Sequence, residues 1–328
     1  RVLRYILRKA LGWVVMIFVA TNLTFFLASF FLKPESNYLA RRPPLSHDQI
    51  VRSLDQYNLN PDESVFTKWW TWFQGVFFHW DWGQSPTGVD VNSEVAYRAA
   101  ISAQLVLGAT ILSAVLGIAL AVYSAARQYR FGDRVAQATS IITLNIPLPV
   151  AALCVVFLGI WANQKLGHTV FYVAGAQDPN VSGFWATLVS RLAHLVLPSI
   201  TLILVGYASY HMTQRTLLLD TVDADFVRTA RAKGLTRQEA IRRHGLRTSL
   251  IPTAAQLAFS IPAMFTGAIM TETIFAWKGM GQYFTQTIGQ NDIHGTVAIA
   301  AFGALMTAIG AILADLATVA LDPRVRVS

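Results

Sequence analysis

Charged residues are scarce in this sequence, and cysteine is nearly absent. Asp, Glu, Lys and Arg make up 13% of the 328 residues, about half of the roughly 25% that is usual in soluble domains, whereas hydrophobic residues make up 54%. A chain of this composition cannot cover a soluble surface with polar groups. The one cysteine, Cys154, stands in an apolar stretch, which excludes a disulfide framework and a cysteine-based metal cluster.

Motifs for catalysis and nucleotide binding are also missing. The sequence has no HExxH zinc motif, no GxSxG nucleophile elbow and no GxxxxGK[ST] phosphate-binding loop, and its seven histidines lack ligand spacing. We therefore expect no catalytic residue, metal or cofactor on this chain. His194 and His211 fall within an apolar stretch, where a proton-relay role and an ordinary hydrogen-bonded histidine are both open.

Six long stretches of the sequence contain no Asp, Glu, Lys or Arg. Each can supply the roughly 20 helical residues that cross a bilayer, and none alternates in the manner of a barrel strand. We therefore predict an all-α membrane protein, with one domain over residues 1–328 and six transmembrane helices. The predicted spans are residues 10–32, 99–126, 135–164, 192–214, 248–271 and 293–314.

The basic residues are concentrated on one side of these predicted spans. The chain has 26 Lys and Arg against 18 Asp and Glu, a net charge of +8. Most of the Lys and Arg lie near the two termini and in the loops 127–134 and 215–247. The positive-inside rule places these segments and both termini in the cytoplasm, and the loop 33–98 outside. Topology thus accounts for the positive charge without a nucleic-acid partner.

The predicted external loop 33–98 contains a dense group of aromatic residues. Tryptophan at such density favours the membrane–water interface, where the ring is half buried and the indole N–H stays hydrated. A docking surface for an external partner is the alternative interpretation. The group comprises Trp69, Trp70, Trp72, Phe73, Phe77, Phe78, Trp80 and Trp82.

The loop 215–247 has the pattern of two short helices joined by a tight turn. Asp225 can cap a first helix over residues 226–233. Gly234 is placed to adopt the left-handed conformation that ends a helix, which costs a residue with a side chain about 1 kcal/mol. Thr236 and Glu239 match the capping box of a second helix. Spacing alone leaves an ordinary solvated connection equally open.

One segment of this loop resembles a known signature. It is similar, nearly residue for residue, to the cytoplasmic signature loop of permeases in binding-protein-dependent ABC importers, in their dipeptide and oligopeptide branch. The resemblance extends over nearly the whole chain, although Arg228 and Arg247 stand where the broad family motif has Glu and Pro. The segment reads Asp225, Phe226, Val227, Arg228, Thr229, Ala230, Arg231, Ala232, Lys233, Gly234, Leu235.

The resemblance implies a fold, a location and a set of partners. It implies the type I permease fold of ABC importers, a bacterial inner-membrane location and the place of first permease in a pair. The expected partners are a second homologous permease, two ATPase subunits or domains that bind ATP and Mg, an extracytoplasmic substrate-binding protein, membrane lipid and a peptide substrate. Residues implied to couple to the ATPase are Asp225, Phe226, Arg228, Thr229, Ala230, Arg231, Ala232, Lys233, Gly234 and Leu235.

Other residues are candidates for the pore or its gate. By resemblance, Gly279 and Gly281 lie on the external side near the pore mouth, and two glycines there are suited to a tight reversal because glycine accepts positive φ. Glu272 and Asp315 lie at the edges of predicted spans, where a substrate role, solvation or bonds to neighbouring helices are all open.

Three alternatives to peptide import are weighed from the sequence. Relatives in the resembling family carry glutathione or nickel chelates, so the same machinery could import these. An ion-coupled secondary transporter would need titratable residues near the middle of the bilayer, and Glu272 and Asp315 are too near the edges. A membrane-embedded enzyme would need a convergent polar group that the sequence lacks.

Overall fold

The computed structural model describes residues 2–222 and 224–321, with side chains for all of these except residues 2–6, 226, 244 and 263–267. In this part of the chain every regular element is helical, apart from an isolated antiparallel bridge between Gln84 and Asp90. The predicted all-α class is confirmed. The helices are α1 (Val2–Phe31), α2 (Ser36–Leu39), α3 (His47–Asp55), α4 (Val65–His79), α5 (Val91–Ala126), α6 (Phe131–Asn145), α7 (Leu148–Leu166), α8 (Phe184–Val222), α9 (Asp225–Ala232), α10 (Arg237–Ala240), a π-helical segment (Ile241–Gly245), α11 (Leu246–Gly267), α12 (Ile269–Ile274), α13 (Met280–Gly289) and α14 (Ile293–Leu321).

Within the described residues, five helical stretches are long and apolar enough to cross a membrane. They overlap the predicted first, second, fourth and sixth spans and the second half of the third. Their bounds are Leu7–Leu39, Val91–Ala126, Leu148–Leu166, Phe184–Val222 and Ile293–Leu321.

The predicted third span, 135–164, is not one continuous helix. α6 ends at Asn145 and α7 begins at Leu148. Ile146 is extended (φ −80°, ψ 121°) because the ring of Pro147 disfavours a helical conformation in the residue before it, and Pro147 has no N–H to continue the helix. Absence of charge, the criterion behind the prediction, does not detect this break.

Most of the predicted fifth span, 248–271, is occupied by α11. This helix contains Pro252 and Pro262 and ends at Gly267, one residue before the turn at Ala268. It is not one of the five long apolar stretches found in the described residues. A membrane crossing by α11 therefore stays a prediction.

The chain forms two compact units. Unit 1 comprises residues 1–102, 265–269 and 278–308, and unit 2 comprises residues 103–264, 270–277 and 309–328. The chain passes from one unit to the other within α5, α11, α12 and α14 and once more between α12 and α13.

Unit 1 has a core in which the loop 33–98 folds onto α1. Phe25 of α1 stacks on Trp72 of α4, with ring centroids 4.8 Å apart. Tyr38, Leu54 and Val297 are buried in the same cluster. The loop is thus packed protein rather than a free connection.

In unit 2, α8 packs against α6 and α7. Gly117 of α5 allows a close approach of α8, because a Cβ atom there would lie 2.6 Å from the carbonyl oxygen of Tyr207. Towards the C-terminal ends of α5 and α8, the π-helical segment packs into a cluster of buried residues from both helices. The cluster contains Ala121, Ala125, Leu218, Val222 and Ile241.

Candidate functional site

The first helix of the 215–247 loop is α9, Asp225–Ala232, and its N-cap is not Asp225. Ala224 is the N-cap, with extended backbone angles (φ −67°, ψ 147°), and it makes no side-chain capping bond. Asp225 is the first helical residue, where its carboxylate still favours the positive end of the helix dipole. The predicted role of Asp225 as a cap is therefore wrong, although the helix itself is present.

The turn after α9 has the predicted left-handed glycine. Gly234 has φ +95°. Its N–H donates to the Arg231 carbonyl (3.0 Å), and the Leu235 N–H donates to the Ala230 carbonyl (3.3 Å). These two bonds are the pair that defines a Schellman motif, which satisfies carbonyls at the end of a helix.

The second helix, α10, begins with the predicted capping box. The Glu239 N–H donates to Thr236 Oγ1 (3.3 Å), and the Thr236 N–H donates to Glu239 Oε2 (3.0 Å). Hydrogen bonds from the Thr236 backbone and hydroxyl lower the pKa of Glu239. α10 continues through the π-helical segment Ile241–Gly245 into α11 without a break. A displacement of the loop is therefore transmitted directly to α11.

The loop has a small apolar core of its own. Val227 and Ala240 are fully buried, Ala230 is 7% exposed, and Leu235 packs against them. The contact of Leu235 with this cluster is the hydrophobic partner that commonly accompanies a Schellman motif. Ala230 therefore holds α9 and α10 together, and its side chain is not available to a partner protein.

The opposite face of the loop is exposed and mainly basic. The side chain of Phe226, which the sequence also assigned to this surface, lies outside the described side chains. Such a face favours a partner surface of negative potential. Its exposed residues are Asp225, Arg228, Thr229, Arg231, Ala232, Lys233 and Gly234 on the α9 side and Arg242, Arg243 and Arg247 further along.

One contact joins the loop to the turn between α5 and α6, and another joins α8 to the first turn of α6. Arg237 Nη2 donates to Gln128 Oε1 (3.0 Å). Arg215 near the end of α8 forms a two-pronged ion pair with Asp133, with Nε to Oδ1 and Nη2 to Oδ2 both 2.8 Å. The Asp133 side chain is fully buried, and that of Arg215 is 11% exposed.

The electrostatics of Asp133 show how firmly this pair is held. Burial raises the pKa of Asp133, but the hydrogen bonds outweigh burial and hold the pKa well below its usual range. The donors are Arg215, the Ser124 hydroxyl and the Tyr129 N–H. The sequence analysis missed this pair. Asp133 is the only acidic residue between the predicted second and third spans, and that isolation was the available signal.

The four candidate pore residues are divided between the two units. Glu272 and Asp315 belong to unit 2, where Glu272 is fully buried in α12 and Asp315 is partly buried in α14. Gly279 and Gly281 belong to unit 1, where Gly279 is the N-cap of α13.

The expected reason for glycine at these two positions is wrong. Gly279 is extended (φ −96°, ψ −169°), and neither glycine is among the residues with positive φ. Positive φ in this region occurs at Ala276 (φ 49°). Gly281 is instead a close-packing position, since a Cβ atom there would lie 2.8 Å from the backbone of Ile269.

Comparison with known proteins is consistent with this geometry. Residues 113–327 match the family described as binding-protein-dependent transport system inner membrane component, and residues 2–89 match the N-terminal family of the same membrane components. The chain belongs to this family. It is accordingly the membrane permease of such a transport system and not its ATPase.

Relatives with assigned names cover the permease from end to end. It is 35% identical to the oligopeptide transport system permease protein OppB of Mycobacterium tuberculosis, with 99% of each chain covered. It is 28% identical to the oligopeptide permease protein AppB of Bacillus subtilis, with 98% of each covered. Identity to the dipeptide permease protein DppB of Escherichia coli is 27%, with 99% of each covered.

The two histidines of α8 in this permease have hydrogen-bond partners. His211 is fully buried, and its Nδ1 is 2.7 Å from Ser140 Oγ. His194 Nδ1 is 2.7 Å from the Ser190 carbonyl, and its ring stacks on Tyr172 with centroids 4.1 Å apart. These contacts favour the structural interpretation over a proton relay. Among the described residues, no cluster of three or more His, Cys, Asp or Glu could hold a metal.

Proposed function

We propose that this permease forms half of a peptide-import pore and that its 215–247 loop couples ATP hydrolysis on a partner chain to pore opening. The observation that carries the proposal is the loop itself. The turn at its centre is fixed by the satisfied cap at the end of α9 and by the capping box at the start of α10. The loop also has its own buried core and exposes a basic face beside α9. ATP and Mg bind to the cytosolic ATPase subunits, since this chain supplies no phosphate-binding loop.

The coupling mechanism follows from how the loop is attached. α9 follows α8 after two residues, and α10 runs through the π-helical segment into α11. When ATP closes two ATPase subunits, each pulls a docked loop, and the rigid loop moves α8 and α11 with it. The Asp133–Arg215 pair makes α6 move with α8. This is a rigid-body transition between inward-open and outward-open states.

The proposed topology orients the machine in the membrane. Both termini and residues 215–247 lie in the cytoplasm, and residues 33–98 connect two spans on the outer side of the membrane, where the substrate-binding protein docks. A second homologous permease completes the pore with this chain. Six crossings, with α11 as the fifth, give this arrangement. Glu272, Gly279, Gly281 and Asp315 are proposed to lie near the pore mouth or gate.

Peptides are the proposed substrate because the relatives are named as oligopeptide and dipeptide permease proteins. The same machinery importing glutathione or nickel chelates is the alternative, and an ion-coupled secondary transporter is not favoured by the family. Uptake of labelled di- and oligopeptides should be lost in a strain lacking this chain and restored by its gene. Unchanged peptide uptake together with lost glutathione or nickel uptake would refute the peptide assignment.

The position of the loop can be tested by single-cysteine labelling of the assembled complex. Cys154 is exposed and is first replaced by serine. Ala232→Cys places a thiol on the exposed side of α9, and Asn180→Cys is the matched control in the exposed loop between α7 and α8. The Ala232→Cys thiol should react with an impermeant maleimide only from the cytoplasmic side and should crosslink to the ATPase subunit. The Asn180→Cys thiol should react only from outside and should not crosslink. Reversed sidedness, or no ATPase crosslink from α9, would overturn the coupling role.

A further inference from the structure

α4 is too apolar for an exposed helix of an aqueous loop and too short to cross a bilayer. It has 15 residues, about 22 Å of helix at 1.5 Å per residue, against the roughly 20 residues that a crossing needs. Its aromatic side chains form an outward stripe in which Trp70, Phe73 and Phe77 stack in sequence. Phe66, Phe77 and Trp80 are each 66–70% exposed. Helices of this length and composition are commonly re-entrant or interfacial.

α4 runs antiparallel along α1, at the level of residues that lie inside the first span. Phe66 packs against Phe26 (ring centroids 5.5 Å apart), and Phe73 packs against Phe18 (6.0 Å). Between these pairs, Trp69 Nε1 donates to Asn22 Oδ1 (2.8 Å). Successive α4 residues thus meet earlier and earlier residues of α1. All three α1 partners lie within the uncharged stretch 10–32, which is the predicted first span. The C-terminal end of α4 therefore lies at the level of residues well inside that span.

The backbone groups at the end of α4 and the one lysine of the helix have hydrogen-bond partners, as burial in hydrocarbon requires. At its far end Trp80 adopts a left-handed conformation, and the N–H groups of Trp80 and Asp81 donate back to carbonyls of α4. Asn92 accepts from the Trp82 N–H (2.9 Å) where the chain turns back. The one lysine of α4, Lys68, is buried, and its Nζ donates to the Asn60 carbonyl (3.0 Å) before the helix begins.

An apolar groove of about 500 Å³ lies beside α4, between α1, the start of α5 and α14. Its volume falls within the 300–1,000 Å³ range of small-molecule sites. Its lining includes Val14, Phe77 and Leu305, together with Thr21 and Trp72. Thr21 Oγ1 and Trp72 Nε1 are buried, and neither has a hydrogen-bond partner among the described residues. The surface that the groove presents is therefore almost entirely apolar.

We propose that α4 is a re-entrant helix that enters the membrane from its outer side and that this groove binds an acyl chain of a membrane phospholipid. Lipid is the occupant because the groove is continuous with the exposed face of α1, where Leu11, Val14 and Val19 are 58–65% exposed and belong to a membrane-crossing stretch. The acyl chain lies along the groove, against apolar side chains that include Phe77 of α4 and Leu305 of α14.

Lipid binding is tested with a photoreactive phospholipid. The assembled complex is reconstituted in phosphatidylethanolamine vesicles that contain a phospholipid with a diazirine midway along one acyl chain, and labelled peptides are mapped by mass spectrometry. We expect labelling of α4 and of α1 near Phe18. Ala96→Phe fills the groove from an exposed position on α5 and should abolish this label. Ala100→Phe is the matched control, one turn further on and outside the groove lining, and should leave the label unchanged.

Each remaining outcome counts against a defined part of the proposal. Equal labelling in the two variants means that the groove holds no acyl chain, as does an absence of label on α4. Insertion of α4 is measured separately with a nitroxide at Phe77→Cys and an aqueous reference at Asp48→Cys, both with Cys154→Ser. The Phe77→Cys label should collide more with oxygen than with a water-soluble nickel complex. The same collision ratio as at Asp48→Cys would overturn the re-entrant position.

Discussion

Gly234→Ala is the substitution that isolates the turn between α9 and α10. Gly234 has φ +95°, and a Cβ atom there would meet nothing within 4 Å. The cost is therefore purely conformational, about 1–2 kcal/mol for an L-residue forced into the left-handed region. A change of this size alters the ratio of formed to open turn by about 5–30-fold. No contact with the rest of the loop is removed, so the effect is confined to the backbone of the turn.

Amide hydrogen exchange of Leu235 measures this ratio, because its N–H donates to the Ala230 carbonyl across the turn. Exchange should be faster in Gly234→Ala, and substrate-stimulated ATP hydrolysis and peptide uptake by the reconstituted complex should fall. Gly245→Ala is the control in the same loop, since its Cβ also meets nothing within 4 Å and its φ is not positive. Unchanged Leu235 exchange would refute the conformational argument. Faster exchange with uptake equal to that of Gly245→Ala would refute coupling through the loop.

Three further substitutions test other parts of the structure. Asp133→Asn removes the carboxylate that pairs with Arg215 and should cost about 3–5 kcal/mol of stability, which lowers the Tm of the purified complex. Adding Arg215→Gln should recover part of the loss, and an unchanged Tm in Asp133→Asn would contradict the buried pair. Burial raises the pKa of Asp292 to about 6, although hydrogen bonds from backbone N–H groups act to lower it. The folded protein therefore favours the protonated carboxyl, and stability is lost as the pH rises from about 4 to 6. Asp292→Asn should remove this loss, so a variant with the wild-type pH dependence would refute it. Gly281→Ala should cost about 1–3 kcal/mol of stability, because the new Cβ overpacks against the neighbouring backbone. Gly289→Ala is the control, since a Cβ there would meet no atom within 4 Å. Equal Tm values in the two variants would count against the close approach at Gly281.

The local features of the coupling loop were predictable because their signals lie within a few residues of sequence. A glycine at the end of a helix and a Thr-x-x-Glu pattern each satisfy backbone groups that any helix terminus leaves unpaired. Gly234, Thr236 and Glu239 are therefore placed as predicted. Asp225 is not the cap because α9 already begins at Asp225, so the N-cap position falls on Ala224, which has no side chain that can cap. Only the backbone angles of Ala224 fix this boundary.

Which side of the loop faces a partner was not predictable from the signature. The resemblance names Ala230 as one of the coupling-loop residues, and the structure buries it against Val227 and Ala240. The reason is that α9 and α10 cover each other, and this depends on how the chain folds back after Gly234. The close approach that requires glycine at Gly281 likewise involves Ile269, a contact between different helices.

The sequence by itself determined that this protein is a helical membrane permease. Long uncharged stretches can be placed in hydrocarbon only as helices whose backbone bonds are internal, and basic residues are costly to move across the membrane. Tertiary structure decided which pieces of the chain share a depth and a surface. It pairs Asp133 with Arg215 and lays the aromatic α4 along α1. Such pairings arise from packing between distant segments, and no pattern of charge or periodicity within one segment records them.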